Sequence, residues 1–206
     1  MSVLVVGAGG HAKVVIATLR AAGRAVAGVL DDDPERRGAS FLGVSVLGAT
    51  ERLAQHEGDA VLAIGSNAVR RRIADAFPDV RWTAAVHPSA TVHSSVDIGA
   101  GAVVFAGAVV QPDSRIGRHA IVNTAATVDH DSAVGDFAHL APGVHLAGAV
   151  TVGEGAFLGI GVVAVPGVAV GAWATVGAGG VVVRDLAPKV VAVGVPARPR
   201  RDLGSS

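Results

Sequence analysis

VDHDSAVGDFAHL, residues 128–140, places Val128, Val134 and Leu140 six residues apart, with small and polar residues between them. The spacing persists in both directions. It runs through Val86, Val92, Ile98, Val104, Val110, Ile116 and Val122 on one side, and through Leu146, Val152, Leu158, Ala164, Val170, Val176 and Val182 on the other. Sixteen of the seventeen positions are Val, Ile or Leu, which rules out chance. The residue four further on is usually small, as at Ala90, Ala102, Ala108, Ser114, Ala120, Ala126, Ser132, Ala138, Ala156 and Ala174. Gly often follows the aliphatic residue directly, as at Gly99, Gly117, Gly135, Gly153 and Gly159. A sustained hexapeptide period means a parallel β-helix, three hexapeptides to a triangular coil, with residues eighteen apart stacked. The aliphatic residue fills the interior and the small one fits near a corner. Roughly 100 residues make about five to six coils. The unbroken period predicts that no loop is inserted between coils. By itself it leaves open a passive scaffold or a metal site as well as an enzyme.

Composition agrees with a narrow aliphatic interior: half of the 206 residues are apolar, aromatics are 3 % and there are 28 Gly. Acidic and basic residues balance at 17 each, so no electrostatic case exists for nucleic acid or a membrane surface. The absence of Cys excludes disulfides, thiolate-bound zinc and an acyl-cysteine intermediate. MSVLVVGAGG lacks the basic and long apolar regions of a secretory signal, and no apolar run reads as a membrane span, so the expectation is a soluble cytoplasmic protein.

The first 85 residues alternate strand and helix signals. VLVVGAGGHAKVVIATLRAAG is a strand, a Gly turn and an amphipathic helix. AVAGVLDDD is a second strand ending in acids, DAVLAIGSN a third leading into the helix AVRRRIADAF, and VRWTAAVH a fourth. This predicts a small α/β domain with a parallel sheet over residues 1–85, followed by the β-helix with a C-terminal tail over 86–206. Gly7-x-Gly9-x-x-Ala12, with Asp31 about twenty residues on, satisfies the dinucleotide fingerprint and raises an oxidoreductase as an alternative. Too few residues precede the β-helix to build the second mononucleotide half. A half-Rossmann unit still offers helix N-terminal amides to a diphosphate.

His130 lies two residues past the inward Val128, hence at a corner and outside the core. Asp131 follows it and Asp129 precedes it. A carboxylate bonded to one imidazole nitrogen fixes the tautomer and raises the basicity of the other. Gly148, one coil above, leaves open space over the ring. His139 falls on a flat outward face. His119 and His145 read as exposed and inert. His130, His139 and His145 on neighbouring hexapeptides also raise a zinc reading, since neutral imidazoles can converge on a metal.

The unbroken hexapeptides resemble the left-handed β-helix acyltransferases. A narrower resemblance covers nearly the whole chain. GAGGHAKVV, LDDD, AIGSNAVRRRI, HPSATV, the stretch from NTAATVDHDSAVGDF to LGIG and the terminal GVPARPRR are similar to the nucleotide-sugar N-acetyltransferases of bacterial glycan pathways. The resemblance implies acetyl-CoA-dependent acetylation of the 4-amino group of a nucleotide-linked 4-amino-6-deoxysugar, with no metal. O-acetylation of a sialic acid or related sugar is the alternative. It implies His130 as general base, with the following acid orienting it; here that acid is Asp131, one methylene shorter than the family's Glu. It implies acetyl-CoA contacts at His139, Asn123, Gly148, Ile160 and Ala178, the last two on one corner column with Pro142. It implies nucleotide-sugar contacts at Gly9, Gly10 and His11 on the diphosphate and sugar side, Asp31 and Asp32 at the base or ribose, and Gly65 at the third strand's end. Arg70 lies near them without an assigned role. A homotrimer with sites between subunits is expected.

Overall fold

The computed structural model describes residues 2–200. Arg201, which closes the GVPARPRR stretch, and the rest of the tail to Ser206 lie outside the described residues. The chain forms an N-terminal α/β unit followed by a left-handed parallel β-helix.

In the first unit, β1 (Val3–Val6), β2 (Val26–Leu30), β4 (Val44–Gly48), β5 (Asp59–Leu62) and β6 (Arg81–Trp82) pair in parallel, and β3 (Ser40–Phe41) closes one edge antiparallel to β4. The order is β3-β4-β2-β1-β5-β6. Central β1 is buried on both sides, as a strand covered on two faces requires. Leu4 and Val6 pack with Leu30, Leu62 and Ile73 on one side, the last from α2 (Asn67–Ala76). Val3 and Val5 pack with α1 (Gly10–Ala21) on the other. α1 buries Ala12, Val15, Ile16 and Leu19, the spacing of one helical face. The turn leaving β1 demands Gly7: its φ is +105°, and a Cβ there would lie 2.7 Å from Ile64 Cγ1 and 2.9 Å from the Ala63 carbonyl oxygen.

The β3–β4 hairpin is absent from the sequence reading. VRWTAAVH is also not one strand. Arg81–Trp82 completes the α/β sheet, and the chain then crosses so that Ala85–Val86 pairs with Val103–Val104 in the β-helix.

The β-helix has three faces of two-residue rungs. The first face carries Ala85–Val86, Val103–Val104, Ile121–Val122, His139–Leu140, Phe157–Leu158 and Thr175–Val176. The second carries Thr91–Val92 through Val181–Val182, and the third Asp97–Ile98 through Ala169–Val170. The second residue of each rung points inward and builds one continuous aliphatic core. The register is eighteen until the last coil, where Thr175 pairs with Val191 and Val170 bridges Leu186, each sixteen apart. The strict period expected from the sequence therefore shortens by two. The Asp185 carboxylate accepts the Ala169 N–H at 2.8 Å beside that shortened turn.

Stacked corners form columns. The first corner, between the first and second faces, stacks Thr124, Pro142, Ile160 and Ala178. The second, between the second and third faces, stacks Pro112, His130, Gly148 and Pro166. The third stacks Arg118, Asp136, Glu154 and Ala172. The α/β unit sits on the first face: Ala85, Val103, Phe105 and Ile121 join the cluster of α1 and the sheet. Among the described residues no helix is long and apolar enough to cross a membrane.

Candidate active site

The second corner carries the titratable pair. His130 Nδ1–H donates to Asp131 Oδ2 at 2.7 Å, so the shorter Asp still reaches the ring. The Asp129 carboxylate accepts the His130 backbone N–H at 2.8 Å. The bond from Asp131, then the Asp129 charge, raises the His130 pKa above its ordinary value. With Nδ1–H committed, Nε2 is left as the basic atom. Asp131 has φ 58°, as the equivalent corner residues Asp113 and Ala149 also have a left-handed φ, so this conformation belongs to the turn. The space over the ring is not open, contrary to the sequence reading. A Cβ at Gly148 would lie 2.7 Å from both Cε1 and Nε2 of His130, so the ring occupies the volume that Gly148 leaves.

Of the residues expected to meet the nucleotide sugar, Gly9, Gly10, His11, Asp31 and Gly65 converge on a cavity of about 450 Å³, which Gly7, Ala8, Asp33, Arg36, Ala63 and Ile64 also line. Gly9 N-caps α1 without a side-chain cap, and no acid occupies the first turn. A Cβ at Gly9, Gly10 or Gly65 would meet nothing within 4 Å, so the fold does not itself require glycine there for space. Asp31 braces the loop: Oδ2 accepts from Ala8 N–H at 2.6 Å and Oδ1 from Asp33 N–H at 3.0 Å. Asp32 is not in the lining; its carboxylate accepts the Thr50 N–H at 2.7 Å. Arg36, which the sequence reading passed over, brings a guanidinium to the cavity and donates to the Ala8 carbonyl and to Asp33. An acid three residues before an Arg at a strand end was the available signal.

His139 lies on the outward side of its rung, yet it is buried, because the α/β unit covers the first face. It packs edge-on to Phe157, with ring centroids 5.2 Å apart, and sits 6.2 Å from His11. Asn123 Nδ2 donates to His139 Nε2 at 3.2 Å, and Asn123 Oδ1 accepts from Thr124 N–H at 2.8 Å. Burial, then the charge of Arg70, pushes His11 down to about 4. Burial, then Arg70 and His11, against an opposing pull from the Gly65 backbone, pushes His139 down to about 3. Both are neutral at pH 7. His119 is likewise not the exposed residue expected. It stacks on Phe137 at 5.2 Å and meets the edge of Trp82 at 5.1 Å. His145 is exposed, its Nδ1 2.9 Å from Thr127 Oγ1.

Arg70 is 1 % exposed and fastens the two units. Its guanidinium donates to the carbonyls of Ile64 and Gly65 behind the cavity, and to those of His119 and Phe137 at the third corner. Burial lowers its pKa to about 9, which leaves it charged at neutral pH. Asn67 Nδ2 adds bonds to the Gly155 and Ala156 carbonyls.

Ile160 (63 % exposed) and Ala178 stand on the first corner, beside Asn123. The structure thus brings together Gly9, Gly10, His11, Asp31 and Gly65 around the cavity, Asn123, Ile160 and Ala178 on the first corner, and His130, Asp131 and Gly148 on the second.

This arrangement matches solved structures along the whole chain. Perosamine N-acetyltransferase from Caulobacter crescentus, in a histidine-to-asparagine variant in complex with CoA and GDP-perosamine, is 47 % identical, with 98 % of each chain covered and a TM-score of 0.93. The chain belongs to the nucleotide-sugar N-acetyltransferase family. Two further members match at similar coverage. The acetyltransferase domain of PglB from Neisseria gonorrhoeae, in complex with acetyl coenzyme A, is 38 % identical over 97 % of this chain and 98 % of that one, TM-score 0.91. WeeI from Acinetobacter baumannii is 25 % identical over 97 % and 100 %, TM-score 0.88. The family model for the PglD N-terminal domain matches residues 2–77. An uncharacterized protein, L142, of Acanthamoeba polyphaga mimivirus is 29 % identical over 110 residues, 53 % of this chain and 22 % of that protein's length.

Proposed function

We propose that this acetyltransferase moves an acetyl group from acetyl-CoA to the 4-amino group of a nucleotide-linked 4-amino-6-deoxysugar, a GDP-linked one of the perosamine type. The observation that carries the chemistry is the exposed His130–Asp131 pair, with Nδ1–H held at 2.7 Å by the carboxylate. The relatives in complex with CoA and GDP-perosamine support the choice of donor and acceptor.

A neutral amine attacks the thioester carbonyl directly, since the chain has no Cys to carry the acetyl group. As the N–C bond forms, His130 Nε2 takes the proton that the amine sheds; as the C–S bond breaks, that proton passes to the departing sulfur. Asp131 stabilises the imidazolium in between. The free amides at the start of α1 and the Arg36 guanidinium receive the diphosphate. The Ile160–Ala178 column flanks the pantetheine arm. Asn123, oriented by His139, presents its amide to the same ligand.

The site is shared between subunits of a homotrimer. What supports this reading is topology. In a triangular prism the second corner, with His130, lies opposite the first face, on which the α/β unit and its cavity sit. A chain's own core separates its base from its own nucleotide cavity, so His130 serves a sugar held by a neighbour.

The test is thiol release from acetyl-CoA with GDP-, UDP- and dTDP-linked 4-amino-6-deoxysugars. Release is expected with the GDP-linked sugar. No release with any of them overturns the proposal.

A further inference from the structure

At the first and third corners the small residue of the hexapeptide closes a turn by donating its N–H to the carbonyl three residues back. This bond is direct, as from Ala126 to Asn123 at 3.0 Å and from Ala138 to Gly135 at 3.2 Å. The small residue there is Ala in the coils around His130: Ala108 and Ala126 on the first corner, Ala120 and Ala138 on the third. At the second corner the same position holds Ser114 and Ser132, both 1 % exposed.

Their hydroxyls stand inside the turns of the coil above. Ser132 N–H donates to Ser114 Oγ at 3.3 Å, and Ser114 Oγ donates to the Asp129 carbonyl at 2.9 Å. That turn, Asp129 to Ser132, is the one that presents His130 and Asp131. One coil up, Val150 N–H donates to Ser132 Oγ at 3.1 Å, and Ser132 Oγ donates to the Ala147 carbonyl at 3.2 Å, with the His130 carbonyl at 3.4 Å. That second turn presents Gly148, on which the His130 ring lies. Each hydroxyl both accepts and donates, so it bridges an N–H and a carbonyl of a turn that has no direct bond of its own.

We infer that Ser114 and Ser132 are positioning residues for acetyl transfer: their hydroxyls tie together the two stacked turns that set His130 against Gly148. The inference rests on the reading of His130 as the base. Without a hydroxyl, the N–H and the carbonyl lose the partner that tied them, and the turn that carries the imidazole is no longer held in place. Displacements well under 1 Å are enough to slow a positioned proton transfer, since about 1 Å can cost about 10²-fold.

The experiment is a double-mutant cycle on the full-length protein, with Ser114→Ala, Ser132→Ala, His130→Ala and the two double variants. Ala is the residue that the neighbouring corners carry at this position, so folding is retained. In the His130 background each serine variant is expected to lower kcat about tenfold, with both KM values unchanged. In the His130→Ala background the serine substitutions should have no further effect, because they act through the imidazole. A purely structural role predicts the same fractional loss in both backgrounds, and that result overturns the inference, as does full kcat in the single serine variants. If His130→Ala itself keeps full kcat, the base assignment falls and the positioning role falls with it. A large loss in His130→Ala beside unaffected serine variants removes the positioning role alone.

Discussion

The His130 imidazole lies against Gly148, one coil above, at a distance where any β-carbon on residue 148 would stand 2.7 Å from two ring atoms. The glycine is required by the neighbouring side chain and not by its own backbone, whose φ lies outside the left-handed region. Gly148→Ala should therefore leave the fold intact, because the half-free His130 ring can swing away. The swing displaces the imidazole proposed as the base, and on that proposal kcat should fall at least about tenfold. Thermal melting and steady-state kinetics on the same preparation check this. Unchanged kcat would show that the observed ring position is not the productive one.

His130→Ala should lower kcat by about 10²–10⁴. Asp131→Asn should cost less, since the amide can still meet the ring while the supporting charge is lost. A base of the kind proposed for His130 works as neutral imidazole, so on that proposal kcat rises with pH through the His130 pKa in the ternary complex. Asp131 raises that pKa, and its removal should move this limb to lower pH. A limb that stays in place in Asp131→Asn would place the base elsewhere.

Gly9→Ala puts a methyl group where the fold offers open space, on the cavity side of the α1 N-terminus. The melting temperature should hold while KM for the nucleotide sugar rises and KM for acetyl-CoA stays. Equal damage to both constants would mean that the cavity and the Ile160–Ala178 column proposed for the coenzyme are not separate subsites.

Sharing of the site can be read by complementation. His130→Ala and a cavity-filling variant, Gly9→Trp, should each be inactive alone. Co-expressed with different tags and purified through both, they should regain activity, because a mixed assembly restores some complete sites. Light scattering should give close to three times the 20.4 kDa of one chain. Mixed assemblies without activity, or an active monomer, would defeat the shared-site model.

Acid should destabilise the joint between the two units. Burial, then the charges of Arg70 and Arg118, pushes His119 down to about 4 from 6.5, so the folded protein holds it neutral while the unfolded chain protonates it. Stability from this source is complete above about pH 6.5 and is lost as pH falls toward about 4. His11 and His139 act in the same sense. The melting temperature should drop between pH 7 and pH 5, and drop less in His119→Leu. An identical drop in that variant would assign the acid sensitivity to other groups.

Much of this protein is determined by the sequence alone. A period of six, carried by Val, Ile and Leu from Val86 to Val182, can bury its aliphatic column in only one way, so the β-helix and its eighteen-residue stacking follow from local pattern. The same arithmetic put His130 and Asp131 outside the core at a corner, with Gly148 directly above. The glycine turn, likewise, is local chemistry. What the sequence could not decide is which outward faces are covered. His139 sits at an outward rung position like that of His145, and His119 at a corner, yet both are buried and neutral, because an α/β unit encoded some tens of residues earlier packs over the first face and third corner. Arg70, in a helix with three consecutive arginines, is the one whose guanidinium is buried against carbonyls of both units. No periodicity distinguishes it from its neighbours. Burial at such positions depends on contacts between segments far apart in the chain, and only the tertiary structure brings those segments together.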